Sequence, residues 1–341
     1  MFKALAILSL ATQSIFPSYT VTPTTVVQPR HMPQEVRAIY ATANTAELIG
    51  RMAELTKLIQ DTELNAIVIN TKEPSGLRLN PALKKIVSDL HSKNIWVIAR
   101  QVVFQDDDLV KRRPDLALKN SGENMWRDRG GRAWLDPASP EVWEYNVKIA
   151  RDTLKFGFDE INLDYIRFPT DGNTKNIKYP FWNNQTPKDE TIKNFLHYFK
   201  REIKTTNPST IISGDLFGQV FLKDSDMGMG QRVKLLALEL DVLAPMAYPS
   251  HYASGNFGFT KPAEHPYEVM KQTLVAGLKL LPPNTSTQIR PWLQDFDLGA
   301  DYTPPMVRDQ IKAVKEAGPN NGWMLWNAKN IYTETALSPD N

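Results

Sequence analysis

The chain has 341 residues and is 42% hydrophobic, enough to bury a full core in one α/β domain. Its 40 basic and 38 acidic side chains nearly cancel, so no electrostatic footprint for nucleic acid stands out. Cysteine is absent, which excludes disulfides, thiolate nucleophiles and Cys-ligated metals.

Lys3 is followed by an apolar run over 4–11 and then by small and polar residues. That pattern predicts an export signal over residues 1–16, too short to span a membrane. Residues 17–35, rich in Pro and Thr, read as a linker. The folded domain is expected over 36–335, with a tail at 336–341. The mature protein is expected to be extracellular, periplasmic or at the cell surface, with no membrane span.

From 36 onward, strand-like and helix-like segments alternate. Strands are predicted at 37–43, 66–72, 96–104, 158–166, 211–217, 242–248, 288–294 and 322–326. Helices are predicted at 46–61, 81–93, 140–156, 188–206, 231–240, 266–281 and 304–317, with a weak one at the end. Ser139 or Asp136 can cap the helix that starts at Pro140. Eight such units in order predict a single-domain (β/α)8 TIM barrel. A doubly wound open sheet is the alternative, but no Gly-rich phosphate loop follows the first strand. The segment 105–139 is too long for a plain connector. It carries Trp126, Arg127, Arg129, Arg132, Trp134 and Asp136 and reads as a structured lid.

The segment GFDEINLDYIRFP, residues 157–169, is the centre of the functional reading. Phe158, Ile161, Leu163 and Ile166 make a buried strand, and Asp164 lies near its C-terminal end. A carboxylate there is costly unless it is paired or used, and strand C-termini form the active face of such barrels. Asp164 is therefore the predicted nucleophile or base, against the alternative of a structural salt bridge with Arg167. Asp159 and Glu160 start the strand and are expected at the opposite, stabilising end.

Polar residues recur at the other strand ends: Lys72 and Glu73, Arg100 and Gln101, Tyr248 and His251, Asp295 and Asp297. Two carboxylates across a cleft suit glycoside hydrolysis. Asp215 is the first choice for the proton donor, with a helix cap or turn as its alternative. Glu73 and Asp297 are further acid candidates, and Asp136 is weighed between capping and the site. Eight Trp exceed what a core needs. Trp126, Trp134, Trp182, Trp292 and Trp326 fall on the site face, where ring planes can stack on sugars; packing is the alternative for Trp292 and Trp326. The expected substrate-binding set is Glu73, Arg100, Trp126, Asp136, Arg167, Tyr248, His251, Trp292, Asp297 and Trp326. The five His are scattered without an H-x-H or H-E-x-x-H pattern, so no metal or cofactor is predicted.

At these residues the chain resembles the glycoside-hydrolase-like domain of bacterial exported proteins, a domain long catalogued without a function and related to amylase-type and other glycosidase barrels. The matching stretches are IARQVVF (98–104), WRDRGGRAWLD (126–136), residues 157–169, SGDLFG (213–218), PMAYPSHY (245–252), RPWLQDF (290–296) and GWMLWN (322–327). The resemblance implies a (β/α)8 barrel with glycosidase chemistry. Amylase-type barrels carry an Arg two residues before the strand-four nucleophile and a Glu acid on strand five; here Asn162 and Asp215 stand there. A chitinase-type strand four would place Glu at Ile166.

The resulting expectation is an exported two-carboxylate glycoside hydrolase acting on a polysaccharide or cell-envelope glycan. A non-catalytic carbohydrate-binding barrel is the alternative. A metal-assisted hydrolase using Asp164, Asp215 and Asp297 is a third. What separates the first two is whether a second carboxylate with a raised pKa faces Asp164.

Overall fold

The computed structural model describes residues 30–318 and 320–338. The expected export signal and most of the expected linker concern residues outside that range. Eight parallel strands form the barrel: β1 Val36–Ala41, β2 Ala66–Glu73, β3 Trp96–Val102, β4 Glu160–Asp164, β5 Ile211–Phe217, β6 Val242–Met246, β7 Trp292–Gln294 and β8 Gly322–Trp326. Each pairs with the next, and β1 pairs with both β2 and β8, so the sheet closes on itself. Ile39 is in register with Ile67 on one side and Leu325 on the other. The predicted single strand over 288–294 is split into Gln288–Ile289 and β7. Pro291 lies in the break, where it has no N–H to give to a ladder.

The helices that follow the strands are α1 Ile49–Asp61, α2 Pro81–His91, α3 Pro140–Leu154, α4 Lys188–Thr206, the short α5 Val233–Leu236, α6 Pro266–Leu278 and α7 Pro304–Ala317. Ser139, not Asp136, caps α3, its hydroxyl accepting from the Val142 N–H. Two expectations shrink. The helix predicted over 231–240 is one turn, Val233–Leu236, followed by turns; Gln231 ahead of it is drawn inward, its Oε1 accepting the Phe217 N–H and its Nε2 donating to the Asp215 carbonyl. The weak final helix is a 3-10 turn, Glu334–Ala336. Ala336 and Leu337 are buried, and the Glu63 N–H donates to the Ser338 carbonyl, so packing continues beyond residue 335. None of the described helices is long and apolar enough to cross a membrane.

Side-chain alternation along the strands divides the interior in two. Ile161 and Leu163 of β4 join the shell between sheet and helices, with Phe195 and Phe199 of α4. Inside the barrel, Ala38, Val68, Ile98, Ala244 and Met324 form a second apolar cluster. The polar residues of β4, Glu160, Asn162 and Asp164, share that inner side, one per pleat. The loop after β3 is structured as expected. It bridges onto itself at Ala117↔Leu135 and Arg127↔Ala133, and Lys119 pairs with Lys178 of the loop after β4.

Candidate active site

Asp164 ends β4, and the backbone turns sharply after it: Tyr165 has φ 55°, a left-handed value uncommon for a bulky residue. That turn points the Tyr165 N–H back at Asp164 Oδ1, at 2.6 Å. The other oxygen, Oδ2, is held by Arg100 Nη2. The expected alternative of an Asp164–Arg167 salt bridge is not what forms: Arg100, reaching across from β3, takes the carboxylate. Its Nη1 donates to Asn70 Oδ1 at 2.9 Å, which fixes the guanidinium plane.

Asp215, on β5, is 2% exposed and faces the same guanidinium edge, with Oδ2 3.9 Å from Arg100 Nε. Its Oδ1 accepts from Trp292 Nε1 at 2.7 Å and Asn162 Nδ2 at 3.0 Å. Burial, and then the charge of Asp164, push the Asp215 pKa up to about 8, against the pull of Arg100. At neutral pH Asp215 is therefore a carboxylic acid beside a carboxylate. With Oδ1 occupied by two donors, Oδ2 is the oxygen that carries the proton. The Arg100 Nε–H facing it is buried and has no other acceptor. If Asp215 gives up its proton, that N–H is the nearest group to receive the new charge.

A cleft of about 780 Å³ opens above this pair and is lined by Asp164, Asp215, Arg100, Arg167, Tyr248 and His251, among others. Trp292, Asp297 and Trp326 also line it. Tyr248 is buried, and burial together with Asp215 and Asp164 raises its pKa, so it remains a phenol. Burial lowers the pKa of His251, which favours the neutral ring. Trp326 stacks on Tyr40 with centroids 4.1 Å apart, and the Arg100 guanidinium lies 5.3 Å from the Trp326 ring. A second lobe of about 530 Å³ shares Arg100, Tyr165, Arg167 and Trp326 and adds Glu73, whose Oε1 accepts from Asn70 Nδ2 at 2.9 Å.

Three expectations end elsewhere. Trp126 is buried away from the cleft and donates from Nε1 to the Asn173 carbonyl at 3.0 Å. Asp136 is fully buried and accepts the N–H groups of Phe181, Trp182 and Ala138. Both clamp the two long loops together, because a buried indole N–H or carboxylate needs partners and the loop backbone supplies them. Lys72, though at a strand end, is buried with Asp106, its Nζ 2.9 Å from Oδ2. Asp297 lines the cleft, but its Oδ1 accepts the Tyr302 N–H. Among the described residues no three His, Asp or Glu come together as a metal site, so Asp164, Asp215 and Asp297 do not form the cation cage of the third alternative.

The sequence reading gave no site role to Tyr40, Asn70, Asn162 or Tyr165. Asn162 sits two residues before Asp164, hence on the same face, and Tyr40 sits two residues after Ala38 on the inner face of β1; strand period alone would have found both.

The sequence profile of one protein family, described as "Putative glycosyl hydrolase domain", matches residues 38–332. The chain belongs to this family. No curated protein matches the sequence. A hypothetical protein from Ruminiclostridium thermocellum is 31% identical over 52% of this chain and 96% of its own, with a TM-score of 0.46. The α-galactosidase of Thermus thermophilus aligns with 13% identity over 89% of this chain and 60% of its own, at a TM-score of 0.55. A β-galactosidase from the psychrophilic Marinomonas ef1 aligns with 10% identity over 88% of this chain and 58% of its own, at 0.62. The chain thus spans about three-fifths of each galactosidase, and at these identities the likeness is one of fold: this chain shares its (β/α)8 barrel with the two galactosidases.

Proposed function

We propose that this family member is a two-carboxylate glycoside hydrolase acting on a polysaccharide or cell-envelope glycan, with Asp164 as nucleophile or base and Asp215 as proton donor. The observation that carries this reading is geometric: Asp215, buried, faces Arg100 Nε at 3.9 Å on the guanidinium edge whose Nη2 holds Asp164, and burial together with Asp164 pushes the Asp215 pKa up. A binding barrel needs the aromatics and arginines but has no use for a proton held there. In the forward step the Asp215 Oδ2 proton moves to the glycosidic oxygen as the anomeric C–O bond breaks. Asp164 either bonds to the anomeric carbon or takes a proton from the attacking water. Asp215, now charged, faces the unpartnered Arg100 Nε–H. Arg100 thus does from β3 what an Arg at position 162 would do from β4. The N-terminal pattern at residues 1–16 supports an exported location.

The test is a glycan panel, including peptidoglycan and α- and β-linked glucans, incubated with wild type and Asp164→Asn. Release of reducing ends by wild type, lowered roughly 10³-fold or more in the variant, is expected. Wild-type hydrolysis that survives in Asp164→Asn sinks the assignment. Glycan retention in a pull-down without any release by wild type moves the reading to the binding barrel.

A further inference from the structure

Arg167 is the cleft residue that the proposed hydrolysis leaves unused. The residue is only 8% exposed, yet it forms no ion pair among the described residues. The other arginines of the cleft are neutralised: Arg100 by Asp164 and Arg132 by Asp107. Arg167 Nη1 donates to the Phe168 carbonyl at 3.1 Å and to Thr170 Oγ1 at 3.0 Å. Nε and Nη2, the other edge of the fork, donate to nothing among the described residues, and neither is closed off from solvent as the Arg100 Nε is. The guanidinium is held by three rings, Trp134 and Phe217 at 4.9 Å and Tyr165 at 5.4 Å. It lines both lobes of the cleft, beside Asp164.

Arg167 feels the charges of Asp164, Asp171 and Asp128 but touches none of them in an ion pair, and a largely buried cation without a direct partner is costly to keep. Aromatic faces offset part of that cost and stop the side chain from swinging out to solvent. What remains is one immobile edge with two parallel N–H groups, the pattern that matches a carboxylate in bidentate fashion. Asp164 cannot complete it, because Arg100 already holds Asp164. We propose that Arg167 receives a carboxylate borne by the glycan, so that the substrate is an acidic polysaccharide: a uronate, or a sugar carrying a lactyl ether. This inference rests on the glycosidase reading of the same cleft and names its substrate class.

Matched probe pairs test it, each differing only in the group that bears the carboxylate: a β-1,4-glucuronate tetramer against cellotetraose (C6 carboxylate for C6 hydroxymethyl), and N-acetylglucosaminyl-N-acetylmuramic acid against chitobiose (one added lactyl ether). Binding is measured by calorimetry on the full chain carrying Asp215→Asn, which mimics the protonated acid and leaves Arg100 paired with Asp164. One acidic member is expected to bind at least about tenfold more tightly than its neutral partner, with affinity falling as salt rises. Arg167→Gln should shrink that preference about 10- to 100-fold, and Arg167→Lys should restore part of it. Which pair shows the effect tells uronate from lactyl ether. Equal binding within both pairs, no binding of either acidic probe, or a preference that survives Arg167→Gln overturns the proposal. Should Arg167→Gln fail to fold by circular dichroism, the matched pairs and their salt dependence decide alone. A wild type that holds an acidic probe through Arg167 but cleaves nothing sinks the hydrolase reading and spares this one. Cleavage without any acidic preference does the reverse.

Discussion

The strand β4 carries two inward carboxylates, Glu160 at its start and Asp164 at its end, and each meets one arginine. At the start everything is closed. Glu160 accepts from Arg290 Nη1 through both oxygens, at 2.9 and 3.1 Å, and also from Ser213 Oγ and Trp96 Nε1. Arg290 spends its Nε and Nη2 on Asn321 Oδ1. Both side chains are completely buried. At the other end the groups stay open: the Asp215 pKa is pushed up, the Arg100 Nε–H lacks an acceptor, and Arg167 makes no ion pair among the described residues. The same residue types on one strand thus serve two purposes. A closed, satisfied pair fixes the barrel, and an open, partly protonated one is a place where charge can move.

The largest way to break the open end is Asp215→Asn. Loss of the proton donor should lower kcat/KM on a natural glycan about 10²- to 10⁴-fold. A nitrophenyl glycoside, whose leaving group needs little protonation, should lose much less; equal losses on both substrates would remove Asp215 from the acid role. The same variant tests the pKa through stability. Asp215 holds its proton to about pH 8 when folded, against an ordinary value of 3.8. Between those values the folded wild type binds the extra proton, so this group's contribution to stability falls as pH rises from about 3.8 to about 8. Asparagine does not titrate, so the Tm of Asp215→Asn relative to wild type should be higher at pH 8.5 than at pH 5.

Glu160→Gln attacks the closed end. It leaves Arg290 buried without a carboxylate, at a cost of about 3–5 kcal/mol, read as a lower urea midpoint. Glu160 is far down the strand from the chemistry, so kcat/KM per folded molecule should stay near wild type. Lost activity at unchanged stability would mean that the two ends are not separate.

This division was half legible in the chain. Alternation along 157–169 placed Glu160 and Asp164 at opposite ends, and the barrel followed from the order of segments. The pairing was not legible. Arg167, three residues from Asp164, is the natural partner on sequence distance, but Arg100 reaches Asp164 from the neighbouring strand, where Val102 is in register with it. Partners across a parallel sheet are set by register, which no local pattern encodes. Trp126 and Asp136 were misplaced for a related reason. An aromatic and a carboxylate in a long loop look the same whether they face a substrate or a second loop, and here the loop after β4 claims both.

The smallest expected effect is the most specific. Trp292 Nε1 donates to Asp215 Oδ1, a bond that favours the charged carboxylate over the acid. Trp292→Phe keeps a ring against Trp326, now 5.5 Å away edge-on, and against Tyr40 at 6.5 Å, but removes the donor. The Asp215 pKa should then rise above about 8, because the charged form loses its support while burial is unchanged. In a pH profile of kcat/KM, the alkaline limb near pH 8 should move to higher pH by roughly one unit or less, with only a few-fold change at pH 7. If Trp292 serves instead as a sugar platform, KM rises and the limb stays where it was. A limb that moves downward would mean that some other group sets it, and the acid assignment would fall with it.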